Sequence, residues 1–397
     1  MRVVIAHNAV DAASAPDEQD VLVQTEAVRA ALSELGHRPY DLPCMLDLAR
    51  FRQELDGRRP DLVFNLVESL GGTGRLIHLA PSLLDMMGLP YTGACAEAIQ
   101  LTSHKVLAKD RLCALGLPTP DWAGPWPPDL PAASRPAGAG PDPAARWILK
   151  SVWEHASVGL DETSLVLCDR AYRLPELMQR RAPALGGACF AERFVAGREF
   201  NLALLAGPGG PEVLPPAEIV FEGYPPEALR IVGYRAKWDA GSYEYHHTPR
   251  RFDFPPEDAA LLDRLRGLAL RCWRGFGLNG YARVDFRVDA DGRPWILEIN
   301  TNPCIAPDAG FTAALAQAGI GYAEAVGRIL ADARGLGEET LGCCASDAST
   351  TTCCRSTAKP CARCRRSCAS ASAPPPPRRS PRSGRSCAIL SSSVSAW

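Results

Sequence analysis

The residues best suited to chemistry lie in the run GYARVDFRVDADGRPWILEINTNP, residues 280–303. Polar and apolar side chains alternate on both sides of Asp291-Gly292, a pattern typical of two strands joined by a tight turn. A turn centred on this pair fixes which residues face each other, whether it has two residues or four. Two cross-strand pairs then point to one face of the hairpin: Asp285 with Glu298, and Arg283 with Asn300.

This hairpin face could bind a metal ion and stabilise charge. Two carboxylates at cross-strand distance repel each other unless a cation lies between them. The oxygen donors of Asp285, Glu298 and Asn300 suit Mg²⁺, which usually also takes water and phosphate oxygens. Arg283 would offer a planar charged donor to a phosphate or a developing oxyanion. The alternative is a solvated face on which Arg283 pairs with Asp285. We favour the metal site because a solvated face has no need of an asparagine beside Glu298.

Residues 1–100 predict a doubly wound α/β domain in which strands and helices alternate. The strands are predicted at 2–6 and 61–67, and the helices at 20–35 and 76–87. A glycine-rich loop at 71–74 lacks the lysine of a P-loop and does not match GxGxxG. We therefore interpret this loop as a tight connection.

Two lysines stand where a cation is unfavourable without an anionic partner. Lys105 follows a predicted Thr102-Ser103 cap and lies in the first turn of a helix, where a cation opposes the helix dipole. From the residues alone, a ligand phosphate and an inconsequential exposed lysine explain Lys105 equally well. Lys150 lies inside an apolar strand predicted at 147–152, where its ammonium is costly unless it meets an anion.

Two segments have a composition that cannot form a core. Residues 123–146 are rich in Pro, Ala and Gly and predict a surface insertion. Residues 337–397 form a low-complexity tail rich in Cys, Arg, Ser and Pro, which we expect to be disordered. A zinc site at Cys361 and Cys364 is less favoured because their spacing from the upstream cysteines, Cys343, Cys344, Cys353 and Cys354, matches no standard pair of ligand knuckles. A shifted reading frame is a third explanation of this tail.

Charge and hydropathy restrict the possible partners. The 43 basic and 45 acidic residues divide unevenly, so that the chain carries −10 before residue 341 and +8 after residue 340. An acidic body argues against nucleic acid as its main partner, because phosphate contacts require clustered Lys and Arg.

The apolar stretches are too short for a membrane span, and the N-terminus becomes polar too early for a signal peptide. We therefore expect a cytoplasmic protein without a membrane partner.

The motif RVDF, with the Glu of LEINTNP thirteen residues after its Asp, resembles the metal-binding end of the ATP-grasp ligases. The resemblance is strongest to the D-alanine-D-alanine ligase group. It implies an α/β protein with the ATP-grasp fold, in which two α+β subdomains grip ATP behind an N-terminal doubly wound α/β domain. The expected bounds are 1–100 for the N-terminal substrate domain, 101–190 for the central subdomain, 191–336 for the C-terminal subdomain with the metal site, and 337–397 for the tail.

The resemblance also implies specific cofactors. Two Mg²⁺ (or Mn²⁺) ions would be held by Asp285, Glu298 and Asn300. Arg283 would stabilise the tetrahedral transition state. These are the residues that strand register alone brought to one face of the hairpin.

ATP contacts are implied for seven residues: Lys105, Lys150, Ser157, Gly159, Glu192, Glu199 and Lys237. The three lysines would bind phosphates. The serine and the glycine belong to a loop that would close over the phosphates through backbone N–H groups, although Ala156 stands where the family has a serine. The resemblance places Glu192 at the adenine and Glu199 at the ribose. From the residues alone, both glutamates read as edge-strand charges that suppress strand pairing.

The implied activity is that of an ATP-dependent ligase, in which ATP phosphorylates a carboxylate and an amine attacks the acyl phosphate. Glu18, Trp238 and Asp308 fall near substrate positions. Trp238 and Asp308 depart from the residues of the D-alanine enzymes, and the ERE-type segment of those enzymes is not reproduced around Glu18. The expected substrates are amino acids or short peptides, and the question of whether the protein forms a homodimer is left open.

The alternative functions are a ligase for L-amino acids or dipeptides, and a regulatory protein that binds ATP without turnover. Arg283 argues against the regulator, because pure binding gains little from a transition-state residue.

Overall fold

Three β-sheets organise the protein, as seen in a computed structural model. The structure describes residues 1–11, 14–127, 146–155, 157, 159–167, 174–225 and 228–342. The predictions for Ala156, for residues 128–145 of the insertion and for residues 343–397 of the tail concern residues outside these ranges. No helix in the described ranges is both long enough and apolar enough to cross a membrane.

The first sheet is parallel and has the strand order β2–β1–β3. Its elements are β1 (Arg2–Asn8), α1 (Pro16–Glu34), β2 (Arg38–Cys44), α2 (Leu48–Arg58), β3 (Leu62–Leu66) and α3 (Leu79–Met87). Val3 and Ile5 of β1 pack with α1, whereas Val4 and Ala6 pack with α2 and α3 on the other face. Helices therefore cover both faces of the sheet, as parallel strands require, and the predicted doubly wound α/β domain is confirmed.

Strand β2 and helix α2 were not predicted from the sequence. β2 lies at the edge of the sheet, and its burial alternates between exposed and buried positions. It contains Pro39 and Pro43, which an edge strand tolerates because one row of its N–H groups needs no partner. A strand of this kind lacks the apolar run by which β1 and β3 were recognised.

The second sheet is antiparallel, with the order β4–β7–β5–β6. Its region contains α4 (Ala96–Ser103), α5 (Lys105–Ala114), β4 (Trp122–Trp126), β5 (Arg146–Ser151), β6 (Leu165–Leu167), α6 (Leu174–Arg181) and β7 (Cys189–Arg193). The predicted insertion at 123–146 is wrong at its start, because β4 pairs with β7 through Trp122, Ala123 and Trp126. The aromatic residues and backbone pairing of these positions outweigh their proline content.

The predicted Thr102-Ser103 helix cap is also wrong. Both residues belong to the last turn of α4. The cap of α5 is His104, whose Nδ1 accepts a hydrogen bond from the backbone N–H of Leu107 at 3.1 Å. Lys105 is nevertheless the first residue of α5, as predicted.

The third sheet has the order β11–β10–β8–β12–β13, with β9 paired to β8. Its region contains β8 (Arg198–Leu205), β9 (Glu212–Val213), β10 (Ala217–Ile219), α7 (Tyr234–Trp238), α8 (Tyr243–His246), β11 (Arg250–Arg251), α9 (Ala259–Phe276), β12 (Tyr281–Val288), β13 (Pro294–Asn300), α10 (Gly310–Gln317) and α11 (Tyr322–Gly342). Helix α9 packs its apolar face on β8 and β12. Helix α11 continues through residues 337–342, which the prediction had assigned to the tail.

The hairpin β12–β13 has the predicted cross-strand pairs but a longer loop. Val288 pairs with Pro294, so the loop has five residues, 289–293, instead of two or four. A loop of this length alone would shift the register by one residue. The expected pairs are still present, Asp285 with Glu298 and Arg283 with Asn300.

A β-bulge restores the register. Phe286 pairs with Ile296 and Asp285 pairs with Glu298, so Leu297 is the extra residue. Ile296 and Ile299 consequently both enter the core, although strict alternation would place them on opposite faces. The burial of these two isoleucines favours the bulge over a regular hairpin.

Candidate functional site

Asp285 lies at the centre of a hydrogen-bond cluster on the polar face of the hairpin. Arg283 donates from Nε to Oδ1 at 2.8 Å and from Nη2 to Oδ2 at 2.9 Å. The amide of Asn201 on β8 donates to Oδ1 at 2.8 Å, and the amide of Asn300 donates to Oδ2 at 3.1 Å. The predicted grouping is therefore present, and so is the Arg283–Asp285 pair expected under the alternative interpretation.

Glu298 is the point on which the predicted cations converge. Burial by itself would raise the pKa of Glu298, but Lys105, Lys237, Lys150 and Arg283, in that order, lower it well below its ordinary value. These cations come from α5, α7, β5 and β12, which belong to different parts of the chain. The tertiary structure thus brings the predicted lysines and arginine within electrostatic range of one carboxylate.

Lys105 and Lys237 approach Glu298 from two helices. The Lys105 ammonium donates to the backbone carbonyl of Glu154 at 2.6 Å. Burial lowers the pKa of Lys105, and Glu298 opposes this effect. Burial also lowers the pKa of Lys237, as does Arg283, while Glu298 and Asp285 oppose both. Cations crowded together in this way favour an anionic ligand.

Lys150 is held by a buried carboxylate that it shares with a second lysine. Glu192 Oε1 lies 2.6 Å from the Lys150 ammonium, and Oε2 lies 2.6 Å from the Lys109 ammonium. Burial would raise the pKa of Glu192, but Lys109 and Lys150 lower it below its ordinary value. Sequence reasoning missed Lys109. The signal was its spacing, since Lys105, Lys109 and Leu112 lie on one buried face of α5.

Glu199 also has a cationic partner that sequence reasoning missed. Arg287 lies opposite Glu199 across β12 and β8, and its Nη2 is 2.7 Å from Glu199 Oε2. The Arg287 guanidinium lies 5.7 Å from the ring centres of Phe194 and Phe221. Its signal was the period of two along β12, which places Arg287 on the same face as Arg283 and Asp285.

The loop that contains Ser157 and Gly159 connects two parts of the site. Ser157 has a left-handed backbone with φ of 61°, and its Oγ donates to the Val232 carbonyl at 3.0 Å. Gly159 has φ of 68°, and a Cβ at this position would lie 2.2 Å from the Ala184 carbonyl oxygen. The loop therefore contacts the segment that leads into α7, the helix of Lys237.

The glycine-rich loop at 71–74 contacts the second sheet region. Thr73 Oγ1 donates to Glu154 Oε1 at 2.8 Å, and the Gly74 N–H donates to Glu154 Oε2 at 3.1 Å. A Cβ on Gly74 would lie 2.6 Å from the Trp153 carbonyl oxygen. Gly74 is required for this close approach. This agrees with the interpretation of the loop at 71–74 as a tight connection.

The three predicted substrate residues are less closely grouped. Glu18 Oε1 accepts a hydrogen bond from Ser69 at 3.4 Å. The Asp308 carbonyl accepts one from Arg250 at 3.4 Å. Trp238 ends α7, directly after Lys237. Glu18 and Trp238 lie on α1 and α7, and Asp308 precedes α10.

Glu68 is a further residue near this region that sequence reasoning missed. Burial raises the pKa of Glu68 to about 7, with Asp20 and Asp17 adding to the effect. A hydrogen bond from Gln24 at 2.9 Å and the charge of Arg283 oppose this rise. Glu68 therefore lies within the electrostatic reach of Arg283.

The hairpin has a donor set that suits Mg²⁺. Within the described ranges, no three His, Cys, Asp or Glu side chains form a metal cluster. The hairpin instead offers two carboxylates and an amide, Asp285, Glu298 and Asn300. Mg²⁺ is commonly bound by one or two carboxylates together with water and substrate phosphates, so these residues fit the ion.

Comparison with known proteins agrees with this geometry. A family model described as D-ala D-ala ligase C-terminus matches residues 148–331. The D-alanine--D-alanine ligases of Synechococcus sp. strains JA-3-3Ab and JA-2-3B'a(2-13) are 32% and 31% identical to this chain. Those matches cover 80% and 78% of this chain and 90% and 87% of the two relatives. The crystal structure of D-alanine--D-alanine ligase from Bacillus anthracis complexed with ATP matches with a TM-score of 0.63 at 18% identity, covering 86% of this chain and 99% of that chain.

A parallel α/β domain followed by two antiparallel sheets is the ATP-grasp fold, and the similar ligases define an ATP-dependent ligase of this class. The chain belongs to the D-alanine-D-alanine ligase family. The predicted family, fold class and ligase function are thereby confirmed. The comparisons give no support to the alternative of a regulatory protein without turnover.

Proposed function

We propose that the enzyme joins two amino acids or short peptides by activating the carboxylate of the first as an acyl phosphate, which the amine of the second attacks. The observation that carries this proposal is the convergence of Lys105, Lys150, Lys237 and Arg283 on Glu298. Such a set of cations suits phosphoryl transfer, in which positioning and charge stabilisation supply most of the catalysis.

The lysines would bind the ATP phosphates from three directions, because they lie on α5, β5 and α7. The backbone of Ser157 and Gly159 would cover the phosphates from the connecting loop. Glu192 would lie at the adenine and Glu199 at the ribose. Glu192 pairs with Lys150 and Glu199 pairs with Arg287. These ion pairs would fix the orientation of both carboxylates in the nucleotide site.

Asp285, Glu298 and Asn300 would hold two Mg²⁺ or Mn²⁺ ions, which would neutralise charge on the phosphate oxygens. The two carboxylate oxygens of Asp285 accept hydrogen bonds from Arg283, Asn201 and Asn300, and Arg283 donates one hydrogen bond to each oxygen. Arg283 would therefore release at least one oxygen when Asp285 binds an ion. The released guanidinium could then stabilise the tetrahedral oxyanion, because it remains on the same face of the hairpin.

D-alanine is the first substrate to test, because the similar proteins are named D-alanine--D-alanine ligases. The second substrate is a separate question. Asp308-Ala309-Gly310 stands where the D-alanine enzymes place a serine and a leucine, and Trp238 stands where they favour tyrosine. Their ERE-type segment is not reproduced either, although Glu18 falls near its position. These departures support a second substrate other than D-alanine, including an L-amino acid or a dipeptide.

We assign substrate binding to residues 1–100, ATP binding to 101–190, and ATP and metal binding to 191–336. The reaction would take place in the cytoplasm, where ATP is available. A homodimer is compatible with this arrangement, and gel filtration with light scattering would test it.

The proposal is tested by incubating the purified enzyme with ATP, Mg²⁺ and a panel of D- and L-amino acids, singly and in pairs. ADP release and product mass are measured together. We expect ADP release that depends on an amino acid, and a product whose mass equals the two substrates minus water. ADP release without a condensation product for any pair would contradict the ligase reaction with these substrates.

The matched variants are Glu298→Gln at the site and Asp291→Asn in the hairpin loop. Glu298→Gln removes the charge on which the four cations converge, so it should abolish turnover in a folded protein. Asp291 is 72% exposed and pairs weakly with Arg293 at 3.8 Å, so its substitution should leave turnover unchanged. Full turnover by Glu298→Gln would contradict the site assignment.

A further inference from the structure

Lys109 is a fully buried lysine outside the set of residues to which the mechanism assigns a role. Its side chain is 1% exposed. Its ammonium lies 2.6 Å from Glu192 Oε2, donates to Thr119 Oγ1 at 2.7 Å and donates to the Pro120 carbonyl at 3.2 Å. Two hydrogen bonds and one close ion pair thus hold the ammonium inside the protein. Lys109 is therefore fixed in place and, at 1% exposure, is out of reach of a ligand.

Glu192 links Lys109 to Lys150, the lysine proposed to bind an ATP phosphate. The Glu192 side chain is 2% exposed, and its two oxygens divide between Lys109 and Lys150. The Lys150 side chain is 18% exposed, so it is the more accessible of the two lysines. The three side chains together carry one net positive charge, and Lys150 is the member that can present it to an anion.

We infer that Lys109 is a positioning residue that keeps Lys150 available to the ATP phosphates by neutralising Glu192. The inference rests on the proposed role of Lys150. Without Lys109, the buried carboxylate of Glu192 would have Lys150 as its remaining cationic partner. Lys150 and Glu192 would then form a neutral pair, and the phosphates would have to compete with Glu192 for the Lys150 ammonium.

Thr119 extends this arrangement to the hairpin. Its Oγ accepts the hydrogen bond from Lys109 and donates to the Ile296 carbonyl at 2.8 Å. Ile296 lies at the β-bulge that places Glu298 opposite Asp285. Through its contacts with Glu192 and Thr119, Lys109 thus connects β7, which carries Glu192, with β13, which carries Glu298. It would therefore fix both strands beside the proposed phosphate site.

The test compares binding of ATP and of adenosine to the full-length enzyme by calorimetry. Lys109→Met should weaken ATP binding at least tenfold and leave adenosine binding within threefold, because Lys150 would still hold Glu192 at the adenine while the phosphates lose the Lys150 ammonium. Arg111→Met is the matched control. Arg111 lies on the exposed side of the same helix and bonds to the Gly275 carbonyl, so its removal should change neither affinity. Equal losses of ATP and adenosine affinity in Lys109→Met would overturn the inference, since they indicate a structural role alone.

A second comparison holds even if Lys109→Met fails to fold. Glu192→Gln removes the charge that Lys109 neutralises, so Lys109→Met should have little further effect in that background. We expect the ratio of ATP to adenosine affinity in Lys109→Met/Glu192→Gln to lie within threefold of that in Glu192→Gln. A further tenfold loss would overturn the inference, because Lys109 would then act independently of Glu192.

Lys150→Met separates this inference from the proposed function. We expect it to weaken ATP binding at least tenfold while adenosine binding is retained. Unchanged ATP affinity in Lys150→Met would overturn both the proposed role of Lys150 and the inference. A loss in Lys150→Met with none in Lys109→Met would overturn the inference alone.

Discussion

Asp285 lies directly opposite Glu298 because a β-bulge compensates for the five-residue loop between their strands. The extra residue, Leu297, precedes Glu298 and allows both Ile296 and Ile299 to enter the core. The position of the two carboxylates therefore depends on core packing as well as on the turn. A site built on such a pair of strands is held more rigidly than a site built on loops.

Replacement of Arg283 should affect catalysis more than nucleotide binding. Arg283→Lys keeps a positive charge but loses the planar fork that makes two hydrogen bonds to Asp285. We expect kcat to fall about 10²-fold or more, as for the loss of an oxyanion donor, with the KM for ATP changed much less. Steady-state kinetics of ADP release measure both constants. An unchanged kcat would exclude a role for Arg283 in the transition state.

Glu68 should make the stability of the protein depend on pH. Its pKa is raised from 4.5 to about 7 in the folded state, chiefly by burial. Between these values the folded state binds more protons than the unfolded state, so the free energy of unfolding should decrease as pH rises. Allowing for partial exposure, the decrease attributable to Glu68 is on the order of 2 kcal/mol.

Glu68→Gln removes this titration, so the variant should gain stability relative to the wild type at pH 8 but not at pH 5. Urea unfolding at both pH values measures the difference. Glu34→Gln, at the exposed end of α1, should keep the wild-type pH profile. A Glu68→Gln variant that also followed the wild-type profile would show that Glu68 does not titrate in this range.

Substitution of Gly159 should displace the loop over the phosphate site. Gly159 has φ of 68°, and an added Cβ would lie 2.2 Å from the Ala184 carbonyl oxygen. Gly159→Ala should therefore cost about 1–3 kcal/mol of stability and weaken ATP binding. Gly209→Ala is the control, because a Cβ there meets no atom within 4 Å. Thermal unfolding and ATP calorimetry measure the two effects, and equal behaviour of both variants would contradict the prediction.

Loss of Arg287 should destabilise the third sheet. The side chains of Arg287 and Glu199 are 4% and 11% exposed and lie 2.7 Å apart, so Arg287→Met leaves a buried carboxylate without this partner. Removal of one partner of a buried ion pair typically costs about 3–5 kcal/mol. Arg293→Met removes a 68% exposed arginine on the neighbouring loop and should change stability by less than about 0.5 kcal/mol. Chemical denaturation of both variants tests this difference.

The sequence by itself determined the local features of the site. The period of two in strands brought Arg283, Asp285, Glu298 and Asn300 to one face, and the structure has these pairs. An apolar strand singled out Lys150, whereas the first turn of a helix left two explanations of Lys105 open. Such signals depend on a few neighbouring residues, so they can be read without knowledge of the fold.

Only the tertiary structure decided which distant residues support the site. Asn201, Lys109 and Arg287 contact Asp285, Glu192 and Glu199 across 60 or more residues of sequence in each case. The partner of a buried charge depends on which elements pack together, and local periodicity carries no information about that packing. The bulge at Leu297 has the same origin, since the core around Ile296 and Ile299 selects it.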